Sequence, residues 1–163
     1  MTLHLICGST GAGKTTYALA LCGNLGAVHF SIDDWMVRLY GADAPQPPDW
    51  SWISTRVRRC EDLIGTMALQ TAKRGVDAVL DLSFLRATDR RRFASLARNA
   101  GVDVKLHYVD VDPQERWRRV CERNARQGET YRITVTRVMF DGIESMWQPP
   151  TDAELAALDG VRV

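Results

Sequence analysis

The sequence predicts a three-layer α/β fold, in which a mostly parallel, five-stranded sheet carries helices on both faces. Short apolar runs typical of buried strands alternate along the chain with longer runs whose apolar residues recur at helical spacing. Consecutive parallel strands need crossover connections, and the helices that cross over must bury their apolar sides against the sheet. At 163 residues the chain suits a single domain, spanning residues 1–163.

Each predicted element follows from its local pattern. Apolar runs predict strands at 3–7, 27–32, 76–82, 102–109 and 160–163. The first helix begins soon after residue 7 and carries Ala18, Leu21, Cys22 and Leu25 on one face. Further helices are predicted at 35–40, 54–73, 88–100, 113–126 and 134–146. Thr88 is the predicted N-cap of its helix, and the proline-rich stretch 43–49 is predicted to be a loop.

The composition is that of an ordinary globular protein, with 45% hydrophobic and 25% charged residues. A net charge of +1 provides no overall field that would favour nucleic acid or a membrane. No apolar run approaches the roughly 20 residues that cross a bilayer, and the N-terminus resembles no signal peptide. The four cysteines form no C-x-x-C pair, which favours reduced thiols. We therefore expect a cytoplasmic protein with no membrane association and no evident protein partner.

A glycine-rich segment follows the first strand and leads into the first helix. Residues 8–15 read Gly-Ser-Thr-Gly-Ala-Gly-Lys-Thr and fit the pattern G-x-x-x-x-G-K-[ST] at every position. Strand, glycine loop and helix form the context in which this pattern binds the phosphates of a nucleotide. Glycine lets successive backbone N–H groups point inward, and the helix N-terminus adds a partial positive charge. The motif therefore predicts ATP and Mg²⁺ as cofactors.

The motif also assigns roles to its residues. Lys14 is predicted to reach the β- and γ-phosphates, and the Thr15 hydroxyl is predicted to hold Mg²⁺. The predicted nucleotide contacts are Gly8, Ser9, Thr10, Gly11, Ala12, Gly13, Lys14, Thr15 and Thr16. The sequence lacks the N-K-x-D motif with which GTPases usually read guanine, so a GTPase is the weaker interpretation.

Acidic residues follow two of the other predicted strands. Asp81 lies near the end of the third strand, where a carboxylate either holds the Mg²⁺ shell through water or is simply solvated. Asp33 and Asp34 follow the second strand, where one of them is suited to accept the proton of an acceptor hydroxyl. The alternative for either residue is to cap the helix at 35–40. Since parallel strands end at one edge of a sheet, the glycine loop and these carboxylates should converge on one cleft.

Four arginines share one face of the helix predicted at 113–126, namely Arg116, Arg119, Arg123 and Arg126. We expect Arg116 to be solvated. The other three precede a polar loop, from which an arginine can close over the phosphates and neutralise charge in the transition state. This arrangement predicts a lid segment around 119–132. A second basic cluster, which we expect to be a solvated helix start, contains Arg86, Arg90, Arg91 and Arg92.

The glycine loop, the Asp33-Asp34 pair, the strand that ends in Asp81 and the Arg-Asn-Ala-Arg helix end at 123–126 together resemble the small P-loop kinases. The most similar groups are the polynucleotide 5′-hydroxyl kinase domains, the zeta toxins and the chloramphenicol phosphotransferases. This resemblance implies the P-loop NTPase fold and transfer of the γ-phosphate of ATP to a hydroxyl group. It also implies that Asp33 is the base, that Asp81 belongs to the Mg²⁺ region and that Arg123 belongs to the lid.

The sequence departs from the polynucleotide kinases around the acceptor. Met36 stands where those kinases carry the arginine that reads a nucleic-acid phosphate, and Arg38 is the nearest substitute. A small hydroxylated compound bound near Asp34, Trp35 and Arg38 is therefore the favoured acceptor, and nucleic acid is the alternative. A third interpretation is a nucleotide-binding ATPase or switch module that has no acceptor.

Overall fold

The computed structural model describes residues 1–47, 49–128, 131 and 133–163. The strands are β1 (Thr2–Cys7), β2 (Val28–Ser31), β3 (Ala78–Asp81), β4 (Asp103–Tyr108) and β5 (Val161–Arg162). The helices are α1 (Lys14–Leu25), α2 (Ile32–Tyr40), α3 (Trp50–Lys73), α4 (Ala87–Asn99), α5 (Pro113–Arg126), α6 (Arg137–Met146) and α7 (Asp152–Ala157). A short 3₁₀ turn at Gly41–Asp43 follows α2. In the described part of the chain, no helix has the length and apolarity needed to span a bilayer.

The strands form one five-stranded sheet in the order β2-β3-β1-β4-β5, and all the pairings are parallel. The register aligns the strand ends, with Ser31 beside Asp81 and Cys7 beside Tyr108. This arrangement confirms the predicted fold and places the carboxyl ends of the strands at one edge. In parallel sheets this edge is where ligands bind.

Helices cover both faces of the sheet. Successive side chains of β1 point to opposite faces, and each face includes apolar side chains that must be buried. Leu5 is fully buried in the larger core, together with Ile64 of α3 and Phe93 of α4. Ile6 faces the other way and belongs to a smaller core that includes Ala18 of α1. Burying each large apolar side chain contributes roughly 1.5–3 kcal/mol, so the two cores hold the three layers together.

Helix α2 begins earlier than predicted. Its first residue is Ile32, so Asp33 and Asp34 lie in its first turn rather than ahead of it. The cap is Ser31, whose hydroxyl oxygen accepts a hydrogen bond from the Asp34 N–H at 3.3 Å. The alternative in which an aspartate of the pair caps this helix is therefore wrong. Acidic residues in a first turn still stabilise a helix through its dipole.

Four other helices differ from the prediction. Helix α6 begins at Arg137 rather than at residue 134, because the Thr136 hydroxyl caps it by accepting a hydrogen bond from the Met139 N–H. Helix α3 begins at Trp50 rather than at residue 54, because the Asp49 carboxylate caps it by accepting hydrogen bonds from the next turn. Thr88 lies inside α4, which begins at Ala87, so the prediction that Thr88 caps this helix is wrong. Helix α7 is absent from the prediction, since its 6 residues are too few to show helical periodicity.

Arg90 is fully buried rather than solvated, so that prediction is wrong for this residue. Its guanidinium donates to both carboxylate oxygens of Glu154, at 2.7 and 2.8 Å. It also donates to the carbonyl oxygens of Phe84 and Gln148, at 3.0 and 2.9 Å. The carboxylate partner, which lies 64 residues further along the chain, compensates the buried charge. Arg90 thereby ties α4 to α7 and to the connection that follows β3.

A chain of polar side chains links β1, β4 and α1. His4 Nδ1 lies 2.9 Å from His107 Nε2, and His107 Nδ1 lies 2.8 Å from the Tyr17 hydroxyl. At the other end, His4 Nε2 lies 3.7 Å from Asp77 Oδ2. Burial lowers the pKa of both imidazoles from 6.5, and the pKa of His107 falls to about 4. Both rings are therefore neutral at pH 7.

We expect the stability of the fold to decrease as the pH falls from 6.5 towards 4. In this range the unfolded chain protonates His107 while the folded protein, in which its pKa is about 4, resists protonation. The unfolded state then binds more protons and is favoured by mass action. Urea unfolding midpoints measured across the range test this, and His107→Gln should flatten the dependence. Equal slopes for the variant and the wild type would contradict the assignment.

Candidate active site

The segment between β1 and α1, residues 8–13, is a tight loop that lies under α5. Gly11 and Gly13 have φ angles of 81° and 94°, in the left-handed region that glycine tolerates. A Cβ atom on Gly11 would lie 2.4 Å from the carbonyl oxygen of Arg116 and 2.9 Å from Val120 Cγ2. The loop is therefore packed against a helix as well as connected to a strand, and we refer to it as the P-loop.

Lys14 is half-buried at the start of α1. Its Nζ donates a hydrogen bond across the P-loop to the Ser9 carbonyl oxygen, at 3.2 Å. The pKa of Lys14 is lowered overall, and burial is the largest cause. The carboxylates of Asp81 and Asp33 act in the opposite direction, whereas the guanidinium of Arg123 adds to the lowering. Asp33 of α2, Asp81 of β3 and Arg123 of α5 thus all act electrostatically on the ammonium group, although they are far apart in the sequence.

Thr15 and Asp81 are in direct contact. The Thr15 hydroxyl donates to Asp81 Oδ2 at 2.7 Å, and His29 Nε2 lies 3.8 Å from the same oxygen. Burial alone would raise the pKa of Asp81, but the neighbouring His29, Lys14 and Thr15 outweigh it, so that the pKa is lowered. The carboxylate is therefore ionised at neutral pH.

A hydroxyl oxygen beside an ionised carboxylate is a donor set that suits Mg²⁺, a cation that prefers oxygen ligands. The residues present therefore fit the predicted ion. The described residues include no group of three or more His, Cys, Asp and Glu side chains that could hold a metal by themselves. An ion at Thr15 and Asp81 would complete its shell with phosphate and water oxygens, as Mg²⁺ commonly does in proteins.

The three arginines predicted for the lid have different surroundings from one another. Arg119 Nη1 lies 3.4 Å from the Ala12 carbonyl oxygen, so this side chain rests on the P-loop. Arg123 is half-buried and acts electrostatically on Lys14, whereas Arg126 is exposed in the last turn of α5. The lid predicted around 119–132 extends outside the described residues at positions 129, 130 and 132.

The prediction that Arg116 is solvated is wrong, because its side chain is only 4% exposed. Its guanidinium donates to both carboxylate oxygens of Glu144 on α6, at 2.7 and 2.9 Å. It also donates to the carbonyl oxygens of Val111 and Thr10, at 2.9 and 3.4 Å. Glu144 accepts a further hydrogen bond from the Ser9 hydroxyl, at 2.9 Å. Helical spacing places Arg116 on a face but carries no information about a partner 28 residues away.

The side chains predicted to surround the acceptor lie on α2. Asp33 is exposed and Asp34 is half-buried, both in the first turn of the helix. Trp35 is half-buried and packs against the larger core, and Arg38 is exposed in the last turn. Trp35 thus has a packing role as well as a partly exposed surface. The site residues predicted for the acceptor are therefore carried by one helix that begins at the carboxyl edge of the sheet.

Residues 3–148 match the model of the AAA_33 family, described as an AAA domain. The match includes β1 to β4, the P-loop and the carboxylates described above, and the chain belongs to this family. A search of curated protein sequences finds no match to the chain.

Several solved structures share the fold. Chaetomium thermophilum Kti12 in complex with ADP-AlF3 has a TM-score of 0.74 and 17% identity, over 99% of this chain and 88% of that one. Mycobacterium tuberculosis APS kinase CysC, in complex with AMPPNP and APS, has a TM-score of 0.67 and 20% identity over 99% and 87%. A sugar kinase from Janibacter sp. HTCC2649 has a TM-score of 0.67 and 16% identity over 100% and 84%. These matches confirm the resemblance to P-loop kinases at the level of the fold.

Gly11→Ala is expected to weaken ATP binding roughly tenfold or more, because the added Cβ collides with α5 and the left-handed φ angle becomes unfavourable. Gly23→Ala is a matched control in α1, where nothing lies within 4 Å of the added atom. The control should retain affinity and gain roughly 0.5–1 kcal/mol of stability. Titration calorimetry measures both affinities, and equal affinities in the two variants would contradict the described loop packing.

Proposed function

We propose that the protein is an ATP-dependent, Mg²⁺-requiring kinase that transfers the γ-phosphate of ATP to a hydroxyl group of a small-molecule acceptor. One observation is the main support for this proposal. The Thr15–Asp81 pair, with the two side chains 2.7 Å apart, lies beside Lys14, whose electrostatic environment also includes Asp33. This arrangement supports roles for Asp81 in holding Mg²⁺, for Lys14 in holding phosphate and for the more exposed Asp33 in accepting a proton.

The nucleotide half of the proposal rests on the P-loop. Backbone N–H groups of residues 8–13 and the N-terminus of α1 would surround the phosphates, and the first turn of α1 carries no acidic residue to oppose them. Lys14 would exchange its bond to the Ser9 carbonyl for the β- and γ-phosphate oxygens. Mg²⁺ held near Thr15 and Asp81 would neutralise charge on the same phosphates.

The transfer itself needs a base and a means of spreading charge. In the proposed step the acceptor oxygen bonds to the γ-phosphorus, the bond to the β–γ bridging oxygen breaks, and ADP leaves. The hydroxyl proton passes to Asp33, which is exposed and therefore accessible to an acceptor. Arg123 would stabilise the negative charge that spreads over the transferring oxygens. Arg119 and Arg126 complete the proposed lid.

The acceptor is proposed to be a small molecule because the features that favour nucleic acid are weak. The net charge is only +1, and Met36 packs against the core where polynucleotide kinases carry a phosphate-reading arginine. Asp34, Trp35 and Arg38 are the residues proposed to contact the acceptor. A polynucleotide 5′-hydroxyl is the alternative, and an ATPase or switch module without an acceptor is the second alternative.

Labelling with γ-labelled ATP distinguishes these possibilities. We expect label to appear on one member of a panel of small hydroxylated compounds, with little dependence on salt. Efficient labelling of a 5′-hydroxyl oligonucleotide that falls steeply with salt would instead indicate the polynucleotide alternative, since phosphate contacts release counterions. Release of inorganic phosphate alone, across both panels, would identify an ATPase.

Asp33→Asn is expected to retain ATP binding and to reduce transfer to the labelled acceptor by a factor of roughly 10². The amide keeps the shape of the side chain but cannot accept the hydroxyl proton. Asp34→Asn is the comparison variant: because Asp34 is a proposed acceptor contact, this change should reduce transfer by less than Asp33→Asn does. Lys14→Ala should lose ATP affinity as well as transfer. A larger loss of transfer in Asp34→Asn than in Asp33→Asn would assign the base to the neighbouring position. Wild-type transfer in both variants would show that neither carboxylate is the base.

A further inference from the structure

We propose that Glu144 is a positioning residue, which holds the first half of the P-loop in its phosphate-binding shape through Ser9 and Arg116. This inference rests on the nucleotide binding proposed above. Glu144 lies near the end of α6, far from the glycine motif in sequence, and no part of the motif pattern requires it. Its carboxylate nevertheless contacts the P-loop directly.

Both carboxylate oxygens of Glu144 are used. Oε2 accepts hydrogen bonds from the Ser9 hydroxyl at 2.9 Å and from Arg116 Nη1 at 2.7 Å. Oε1 accepts from Arg116 Nη2 at 2.9 Å. The hydrogen bonds from Arg116 and Ser9 lower the pKa of Glu144, so the carboxylate is ionised when it makes these contacts. Charge-assisted bonds of this bidentate kind fix geometry as well as add energy.

Arg116 extends the same network to the backbone. Its Nε donates to the Val111 carbonyl at 2.9 Å, which anchors the guanidinium at the start of α5. Its Nη1 also reaches the Thr10 carbonyl at 3.4 Å. One buried cation thus contacts the P-loop, the connection between β4 and α5, and α6, and Glu144 provides the charge that compensates its burial.

The contacts fall on Ser9 and Thr10, two of the positions that the motif leaves unspecified. The peptide groups of these residues lie in the half of the loop that precedes Gly11. On the other side, Gly11 is pressed against the Arg116 carbonyl and Val120, so α5 already limits movement of the turn. Fixing Ser9 and Thr10 as well leaves the backbone N–H groups little freedom to lose when a phosphate binds. Such preorganisation increases affinity without adding a ligand contact.

Glu144→Gln tests the proposal while preserving shape. The amide NH2 must replace one carboxylate oxygen, and at either oxygen it faces an N–H donor of Arg116. A cleft of about 540 Å³ borders Arg116 and Glu144, so water can reach the altered group. We expect ATP affinity, measured by calorimetry well below the unfolding temperature, to fall roughly tenfold. Asp141→Asn is the matched control, because Asp141 lies on the same helix in an exposed pair with Arg137. It should bind ATP like the wild type.

Ser9→Ala keeps the experiment informative if Glu144→Gln folds poorly, since it removes one hydroxyl and leaves the ion pair intact. We expect it to weaken ATP binding, and the double variant to weaken it by less than the product of the two single effects. Hydrogen exchange of the amides at 8–13, without nucleotide, should accelerate in Glu144→Gln and Ser9→Ala but not in Asp141→Asn. Unchanged affinity and exchange in both variants, with wild-type ATP binding intact, would overturn this inference. Absence of ATP binding in the wild type would overturn the proposed function instead.

Discussion

The hydrogen bond between Thr15 and Asp81 links the start of α1 to the end of β3, at the edge of the sheet where the site lies. Asp81 ends β3, and Thr15 follows the P-loop that leaves β1, so the parallel pairing of these strands brings the two side chains together. A carboxylate this buried is unfavourable unless donors surround it. Thr15 and Lys14, with His29 close by, supply that environment. The position of the P-loop, the ionisation of Asp81 and the environment of Lys14 therefore depend on one another.

Two buried arginines connect the last part of the chain to this centre. Arg116 pairs with Glu144 of α6, and Arg90 pairs with Glu154 of α7, each through two hydrogen bonds to a carboxylate. Each arginine also binds backbone carbonyl oxygens of a segment next to the site, the P-loop in one case and the connection after β3 in the other. Removing the carboxylate from such a pair leaves a buried charge unpaired, which costs roughly 3–5 kcal/mol. Segments that lie outside the motif thus hold it in place.

Local patterns predicted the strands and most helices well, because apolar periodicity and capping act over a few residues. The exceptions have specific causes. α2 extends back to Ile32 because Ser31 caps it, which moves Asp33 and Asp34 into a helical turn. α3 extends back to Trp50 because the Asp49 carboxylate accepts hydrogen bonds from the N–H groups of Ser51 and Trp52. Alternative capping residues lie within a few positions of each other, and apolar periodicity alone does not show at which of them a helix begins.

The sequence by itself determined the P-loop, since glycine, lysine and threonine at fixed spacing after a buried strand specify both backbone shape and chemistry. It also determined that carboxylates at the ends of parallel strands would meet that loop. Only the tertiary structure decided that Arg116 and Arg90 are buried. An arginine on a helix face has the same local pattern whether it faces water or a carboxylate, and here the partners lie 28 and 64 residues away. Pairing of buried charges is a property of the folded contacts, so it appears only once α6 and α7 are in place.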